Sequence, residues 1–318
     1  MSTPIHTGSN ELGTLSTSDD NLICRACGTQ FAETSGLTAC FICDDPRQYV
    51  PPGGQSFTSL AKLRTEGHSL KFEQDEVDAN VISIKVDPPD VGIPNRGLLI
   101  RTSHGNILWD LICYLDEDAV KHINDLGGLS AIVISHPHFY TTWADWSRTF
   151  QNIPVYLATP DQEWVSRKPV GNVQFLTEIH TTIVPGVTAI ICGGHFPGSM
   201  ALHTDASSTK VSSLFHADTI HTVPNALSPD VASPKKHAKG HTSYTFMWSI
   251  PNAIPLDPDQ ILQIWRALKG HSIEATYGFV TVRSKDGDAT IPQRILESAK
   301  VCVRRMGYSD HDILRETA

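Results

Sequence analysis

ISHPHFYTTW, residues 134–143, is the stretch on which the reading of this chain turns. His136 and His138 stand one residue apart, directly behind the apolar run AIVI (131–134), which reads as a buried strand. An H-x-H pair on the loop that leaves a strand offers two imidazoles, half of a transition-metal ligand set. The other half must come from elsewhere. His195, in CGGHFPGS, follows the apolar run AIIC, and Asp218, in LFHADTI, follows SSLF. Residues at strand ends share one rim of a sheet sandwich, where loops bring them together. Three imidazoles and one carboxylate suit zinc, and also iron or manganese. Taken singly, each position has a plainer reading: an exposed H-x-H loop, a turn histidine after two glycines, an aspartate acting as a cap. Their order and their shared placement behind strands favour the metal.

Outward from the motif, short apolar runs alternate with helical stretches. VISIKV (81–86), LLIR (98–101), NILW (106–109), PVYLA (154–158), VTAIIC (187–192), SSLFHA (212–217) and EATYGFV (274–280) read as strands. DEDAVKHINDL reads as a helix capped by Asp116 with Gly127 beyond its end. DPDQILQIWRALKG places apolar residues at 261, 264, 265 and 268 behind Pro258, with Gly270 at the exit. TIPQRILESAKVCVRRMG has Thr290 and Gln293 at capping-box spacing and Gly307 as a stop. Two groups of strands with helices between and after them predict an α/β fold, an αββα sandwich. The polar stretch 225–241 reads as a mobile insertion, and no internal repeat is present.

Four of the seven cysteines crowd into CRACGTQFAETSGLTACFIC, which spells C-x2-C-x12-C-x2-C. Cys24, Cys27, Cys40 and Cys43 can close a tetrahedral sulfur cage around structural zinc, with iron as the main competitor. Four ligands leave no open position, so this site staples. So short a segment cannot bury a core of its own, and the metal supplies what is missing. The expected organisation is a flexible polar tail over residues 1–20, a zinc ribbon and connector over 21–57, and the main domain over 58–318. Cys113, Cys192 and Cys302 lie among apolar residues and read as small buried hydrophobes.

Composition narrows the function. A net charge of -9 argues against nucleic acid as a partner, which needs a basic face. No apolar run approaches the roughly 20 residues of a membrane span, and the start does not look like a secretory signal, so a cytoplasmic chain is expected. The expected partner is a small-molecule substrate, and the sequence leaves the oligomeric state open.

In their order, ISHPHFYTTW, CGGHFPGS and LFHADTI resemble the metallo-β-lactamase fold superfamily, over about residues 80–310. NILWDLICYL resembles the strand that ends in its structural aspartate, here Asp110, which in that superfamily supports the metal shell. The four-cysteine front with RQYVPPGGQ resembles the zinc-ribbon start of a microbial and fungal branch. The usual motif H-x-H-x-D-H is here H-P-H-F-Y-T, with Tyr140 and Thr141 replacing the aspartate and the second histidine. Tyr277 and Gly278 stand where a late histidine is usual. The resemblance implies that every ligand lost belongs to a second metal and every ligand kept belongs to the first. One ion, held by His136, His138, His195 and Asp218, is therefore expected. The implied activity is hydrolysis of a small ester, lactone or thioester-like compound; the alternatives are a mononuclear iron oxygenase and a non-catalytic metal-binding or regulatory protein. Asp218 is a candidate base. Tyr140, with an ordinary pKa near 10, is a candidate donor to an oxyanion rather than a base. Tyr244, Trp248 and Tyr277 are candidate pocket walls.

Overall fold

The computed structural model describes residues 9–168, 171–232, 241–285 and 287–318. They form two compact units, one of Met1–Thr177 with Thr182–Pro185, the other of Glu178–Thr181 with Gly186–Ala318. Both are mixed α/β, as the sequence predicts.

The first unit begins with a short antiparallel pair, β1 (Ile23–Cys24) and β2 (Phe57–Thr58), followed by helix α1 (Leu60–Thr65). Seven strands then make one sheet in sequence order: β3 (Ser69–Gln74), β4 (Val81–Asp87), β5 (Gly97–Ile100), β6 (Ile107–Trp109), β7 (Ala131–Val133), β8 (Val155–Ala158) and β9 (Val173–Leu176). From β3 to β6 neighbours are antiparallel; from β6 to β9 they are parallel. β5 to β8 are buried along their whole length, which explains why they read as unbroken apolar runs. β3 is an outer strand, and its Lys71 and Glu73 pair across to Asp87 and Lys85 at 2.7 and 2.6 Å. Charge on an outer strand guards its open backbone edge. Between β6 and β7 runs α2 (Glu117–Asp125), where Asp116 accepts from the Ala119 N–H at 2.8 Å and Ala119, Val120 and Ile123 face inward. Helix α3 (Trp143–Thr149) was not expected; it buries Trp143 and Trp146.

Residues 9–20, read from composition as part of a flexible tail, are instead tied down. Glu11 and Leu129 exchange backbone hydrogen bonds of 2.7 and 3.2 Å. Gly13 exchanges two with the Asn124 side chain, at 2.7 and 2.8 Å, and Arg148 donates to the Ser16 carbonyl at 2.9 Å. A polar composition says that a segment lacks a core of its own. It does not say whether side chains of another element will satisfy its backbone.

A six-stranded sheet follows in the order β10 (His180–Val184), β11 (Val187–Ile191), β12 (Met200–Thr204), β13 (Ser213–Phe215), β18 (Ala275–Tyr277), β19 (Thr281–Arg283), all of it in the second unit except residues 182–184 of β10. β13 and β18 are parallel; β11, β12 and β13 alternate in direction. Between β13 and β18 the chain makes two small antiparallel pairs, β14 (His221–Thr222) with β15 (Tyr244–Thr245) and β16 (Met247–Ser249) with β17 (Ile254–Pro255). The short helix α4 (Pro229–Ala232) precedes residues 233–240 of the expected insertion, which lie outside the described residues. Helix α5 (Pro258–Leu268) buries Ile261, Ile264, Trp265 and Leu268, the positions its spacing marked. Helix α6 (Ile291–Arg305) starts with the expected capping box between Thr290 and Gln293. The two helices pack their apolar faces into one core with Ile190, Leu214, Tyr244 and Phe246. Among the described residues no helix is long and apolar enough to cross a membrane.

Candidate metal centres

Cys24 closes β1, and the chain turns at once: the Gly28 N–H donates to the Cys24 carbonyl at 2.8 Å. Gly28 has φ +80, and a Cβ there would lie 2.7 Å from Cys113 Cβ, so conformation and space both require glycine. A second turn joins Cys40 and Cys43 by a 3.0 Å backbone bond. Cys24 Sγ lies 3.7 Å from Cys43 Sγ and Cys27 Sγ 3.6 Å from Cys40 Sγ, with all four residues buried. Four thiolates at about 2.3 Å around a tetrahedral ion would stand about 3.8 Å apart, so the donors fit that ion. Phe31 and Ile42 pack with the four cysteines, and Phe41 stacks on Trp164. Of the remaining thiols two behave as read, while Cys302 is only partly buried against the core. Cys113 and Cys192 are buried, and burial pushes each up to about 12.

The H-x-H pair follows β7 at the carboxyl end of the parallel strands, where open α/β sheets place their ligands. Asp110 follows β6 at the same end, with φ 55. Its N–H donates to the Val133 carbonyl at 2.9 Å, and its carboxylate accepts the Ser135 N–H at 2.7 Å. Ser135 Oγ lies 2.8 Å from His136 Nδ1, so Nε2 is the nitrogen placed to coordinate. One 3-10 turn, Pro137–Phe139, then brings the His138 ring to 5.0 Å from the His136 ring. Both histidines are 1% exposed. Tyr140 is buried, and its hydroxyl points at the Asp161 carbonyl, 3.5 Å away. Burial first, and the Asp161 charge second, push that hydroxyl well above its usual range. Thr141 follows at φ 38.

In the second unit, the loop after β11 is closed by Ser199, whose carbonyl accepts from the Cys192 and Gly193 N–H groups at 2.8 and 3.0 Å. Ser199 Oγ also accepts from the Phe196 N–H at 2.8 Å. Gly194 has φ +90, and a Cβ there would meet Ile264 and Leu256 at 2.9 Å. The loop delivers His195, fully buried, with Nδ1 3.3 Å from the Met247 carbonyl. Its Nε2 lies 3.6 Å from Asp218 Oδ2, on the loop that leaves β13. Two ligands at about 2.1 Å on one tetrahedral ion stand about 3.4 Å apart, so this pair also fits.

Other candidates have different roles. Tyr244 is a core residue, its hydroxyl 3.0 Å from Thr276 Oγ1. Tyr277 is fully buried, stacks on Phe215 at 4.9 Å and accepts from Arg283 at 3.0 Å. Trp248 is half-buried and packs against the core. Three residues of interest escaped the sequence reading. Ser135 orients His136. Asp161 is a fully buried carboxylate just past β8. The His216 ring covers Gly278, where a Cβ would come within 2.3 Å of it. For Asp161 a signal existed, since it follows a strand as Asp110 and His136 do. His216, directly after β13, carried the same signal, whereas a serine such as Ser135 has no residue type that marks it.

The uncharacterized protein YmaE of Bacillus subtilis (strain 168) is 32% identical to this chain over 280 residues, covering 87% of this chain and 95% of YmaE. The chain belongs to the YmaE family. No family model matches it. The solved structures to which this YmaE-family chain is similar include metallo-β-lactamases and a flavoprotein. The DIM-1 metallo-β-lactamase is 14% identical with a TM-score of 0.49, over 74% of this chain and 98% of that one. A flavoprotein from Thermotoga maritima is 15% identical with a TM-score of 0.49, over 73% and 61%. At that distance the case for a site in this YmaE-family protein rests on its own residues.

Proposed function

We propose that the protein is a metal-dependent hydrolase that holds one ion through His136, His138, His195 and Asp218 and acts on a small ester, lactone or thioester-like substrate. The supporting observation is donor spacing in each half. His136 and His138 stand 5.0 Å apart by ring centre, and His195 Nε2 stands 3.6 Å from Asp218 Oδ2. Both halves leave strand ends, and both are braced from behind, by Ser135 and by the Met247 carbonyl. The donor set suits zinc, and iron or manganese as well. When bound, the ion supplies Lewis acidity and makes water acidic enough to ionise near neutral pH.

The protein's own groups divide the remaining work. Tyr140 keeps its proton at neutral pH and is no base, and its hydroxyl is turned to the Asp161 carbonyl. Asp218, with 22% of its side chain exposed, is the carboxylate of the set with access to water, and it takes the proton. His136, His138 and His195 are each buried, so their polar contacts are made away from bulk water and are the stronger for it.

The test is metal content per chain, measured on the parent, His136→Ala and Cys24→Ser, together with turnover of chromogenic esters, lactones and thioesters. The expected result is two ions in the parent, one lost in each variant, and acid release that stops with His136→Ala. Iron accompanied by oxygen consumption would replace this reading with an oxygenase. A fully loaded protein that turns over none of the panel would replace it with a non-catalytic metal-binding role.

A further inference from the structure

The four-cysteine segment does more than staple the chain: it braces the loop that carries the H-x-H pair. Gln30, three residues after Cys27, is fully buried. Its N–H donates to the Thr141 carbonyl at 3.1 Å. Its own carbonyl accepts from Ser166 Oγ at 2.7 Å. Its side-chain Nε2 donates to the buried Asp145 carboxylate at 2.8 Å, and its Oε1 accepts from Arg167. Backbone and side chain are therefore saturated by the elements that follow His138. Thr141 needs such a brace. It stands three residues past His138 at φ 38, a left-handed conformation that is strained for a β-branched residue.

One further contact ties the cage to the same loop, and another ties it to the turn that follows β8. Gly28, between Cys27 and Gln30, lies so close to the chain that a Cβ there would sit 3.4 Å from Thr141 Cγ2. On the other side, Asp45 lies two residues after Cys43. Arg47 grips both of its carboxylate oxygens at 2.8 and 2.9 Å and lies over the Trp164 ring. Arg47 holds the Asp45 carboxylate below its usual range, so the segment after Cys43 is fixed against Trp164.

We infer that the four-cysteine cage positions the His136–His138 loop, with Gln30 as the positioning residue, so that an ion in the cage and an ion at the histidine site bind cooperatively. A loaded cage fixes the path from Cys27 to Gln30. Gln30 fixes Thr141, and the two histidines keep their mutual placement before any ion arrives. An empty cage frees that path, and the histidine site must then be ordered at the expense of binding. By linkage the effect is mutual: each ion raises the affinity for the other by the same factor. The inference rests on the ligand set proposed above.

The test uses the full chain with zinc in the cage and cobalt(II) titrated into the histidine site against a competing chelator. Cobalt d–d absorption reads the histidine site, and thiolate-to-cobalt charge transfer, recorded on a fully cobalt-loaded sample, reads the cage. Gln30→Ala is expected to keep the cage ion and weaken cobalt at the histidine site by about tenfold or more, the scale on which groups behind metal ligands act. Cys43→Ser, which empties the cage, is expected to weaken it at least as much. Asp116→Ala removes a distant helix cap and controls for general loss of stability; it should leave affinity within about twofold of the parent. Parent-like affinity in either Gln30→Ala or Cys43→Ser overturns the inference, as does an equal loss in Asp116→Ala. If instead His136→Ala leaves the cobalt signal unchanged, the ligand set itself is wrong, and the failure belongs to the functional proposal.

Discussion

Asp110 accepts the Ser135 N–H at 2.7 Å while standing at φ 55, so one strained residue anchors the backbone immediately before His136. Asp110→Ala removes the acceptor and leaves a buried N–H unpaired, a loss of about 1–3 kcal/mol. It also keeps an unfavourable φ. Asp110→Gly removes the same acceptor but relieves the backbone, so it should be the milder of the two. Urea unfolding should rank them parent, Gly, Ala. Metal content should fall in both, because Ser135 would no longer be held beside the His136 ring. A glycine variant with the parent's metal content would show that the anchor has no part in the site.

A second buried carboxylate holds the opposite side of the same loop. Asp145, fully buried, accepts from Arg148 at 2.6 Å, Arg167 at 3.0 Å, Gln30 at 2.8 Å and the Ser18 N–H at 3.1 Å. Asp145→Ala takes the carboxylate from the Gln30 amide and from two guanidinium groups, which keep only their bonds to Ser16, Ser18 and Gln30. Breaking such a pair from one side costs about 3–5 kcal/mol. Asp145→Asn keeps an acceptor but loses the charge and should fall between. Equilibrium unfolding measures both, and amide exchange at residues 16–18 should quicken in step, since the Ser18 N–H loses its partner. A loss under about 1 kcal/mol for alanine would mean that the arginines find other partners.

What could be read from the chain beforehand follows a physical divide. The long helices were visible because each carries its own punctuation: Asp116, Thr290 with Gln293, and Pro258 with Gly270 are local signals with local causes. The buried strands were visible because they are covered on both faces. Helix α3 was hidden because a helix of seven residues gives few periods to count and has no side-chain cap to mark its start. The positions proposed as ligands stand out for the same reason as the strands, since each follows an apolar run. What braces them was not. Ser135 acts through one hydroxyl, Gln30 through a partner over a hundred residues away in sequence, and His216 through the bare face of Gly278. Those contacts are made by the fold, and no local pattern encodes them.

Acid should weaken the second unit in a defined window. His271 packs between His180 and His203, with ring centres at 5.3 and 4.6 Å. Burial, then the charges of His203 and His180, bring His271 down from 6.5 to about 4. Burial lowers His203 too, although its bond to the Ser272 carbonyl and the Asp205 charge oppose this. A histidine with a depressed folded pKa is protonated first in the unfolded chain. The stability it carries is therefore complete above about pH 6.5 and drains as pH falls from there toward 4. Urea midpoints across that range should slope downward in the parent and slope less in His271→Gln. Identical slopes in the two proteins would remove these rings from the account.

Gly278→Ala tests whether the end of β18 is sealed by His216. A Cβ at 278 would meet the ring at 2.3, 2.8 and 2.9 Å, closer than side chains approach, so the ring must move. The ring is buried, with Tyr244 edge-on at 6.1 Å, so displacing it should cost about 1–3 kcal/mol, the usual range for overpacking. His216 lies two residues before Asp218, so the shift should also reach the proposed ligand and lower metal affinity. Truncating the ring removes the obstacle. In the His216→Ala background, Gly278→Ala should therefore be nearly neutral, and the two changes should be strongly non-additive. Unfolding free energies of the four proteins give the coupling directly. Additive losses would mean that the ring has room to turn aside, and that the end of β18 can accept a side chain after all.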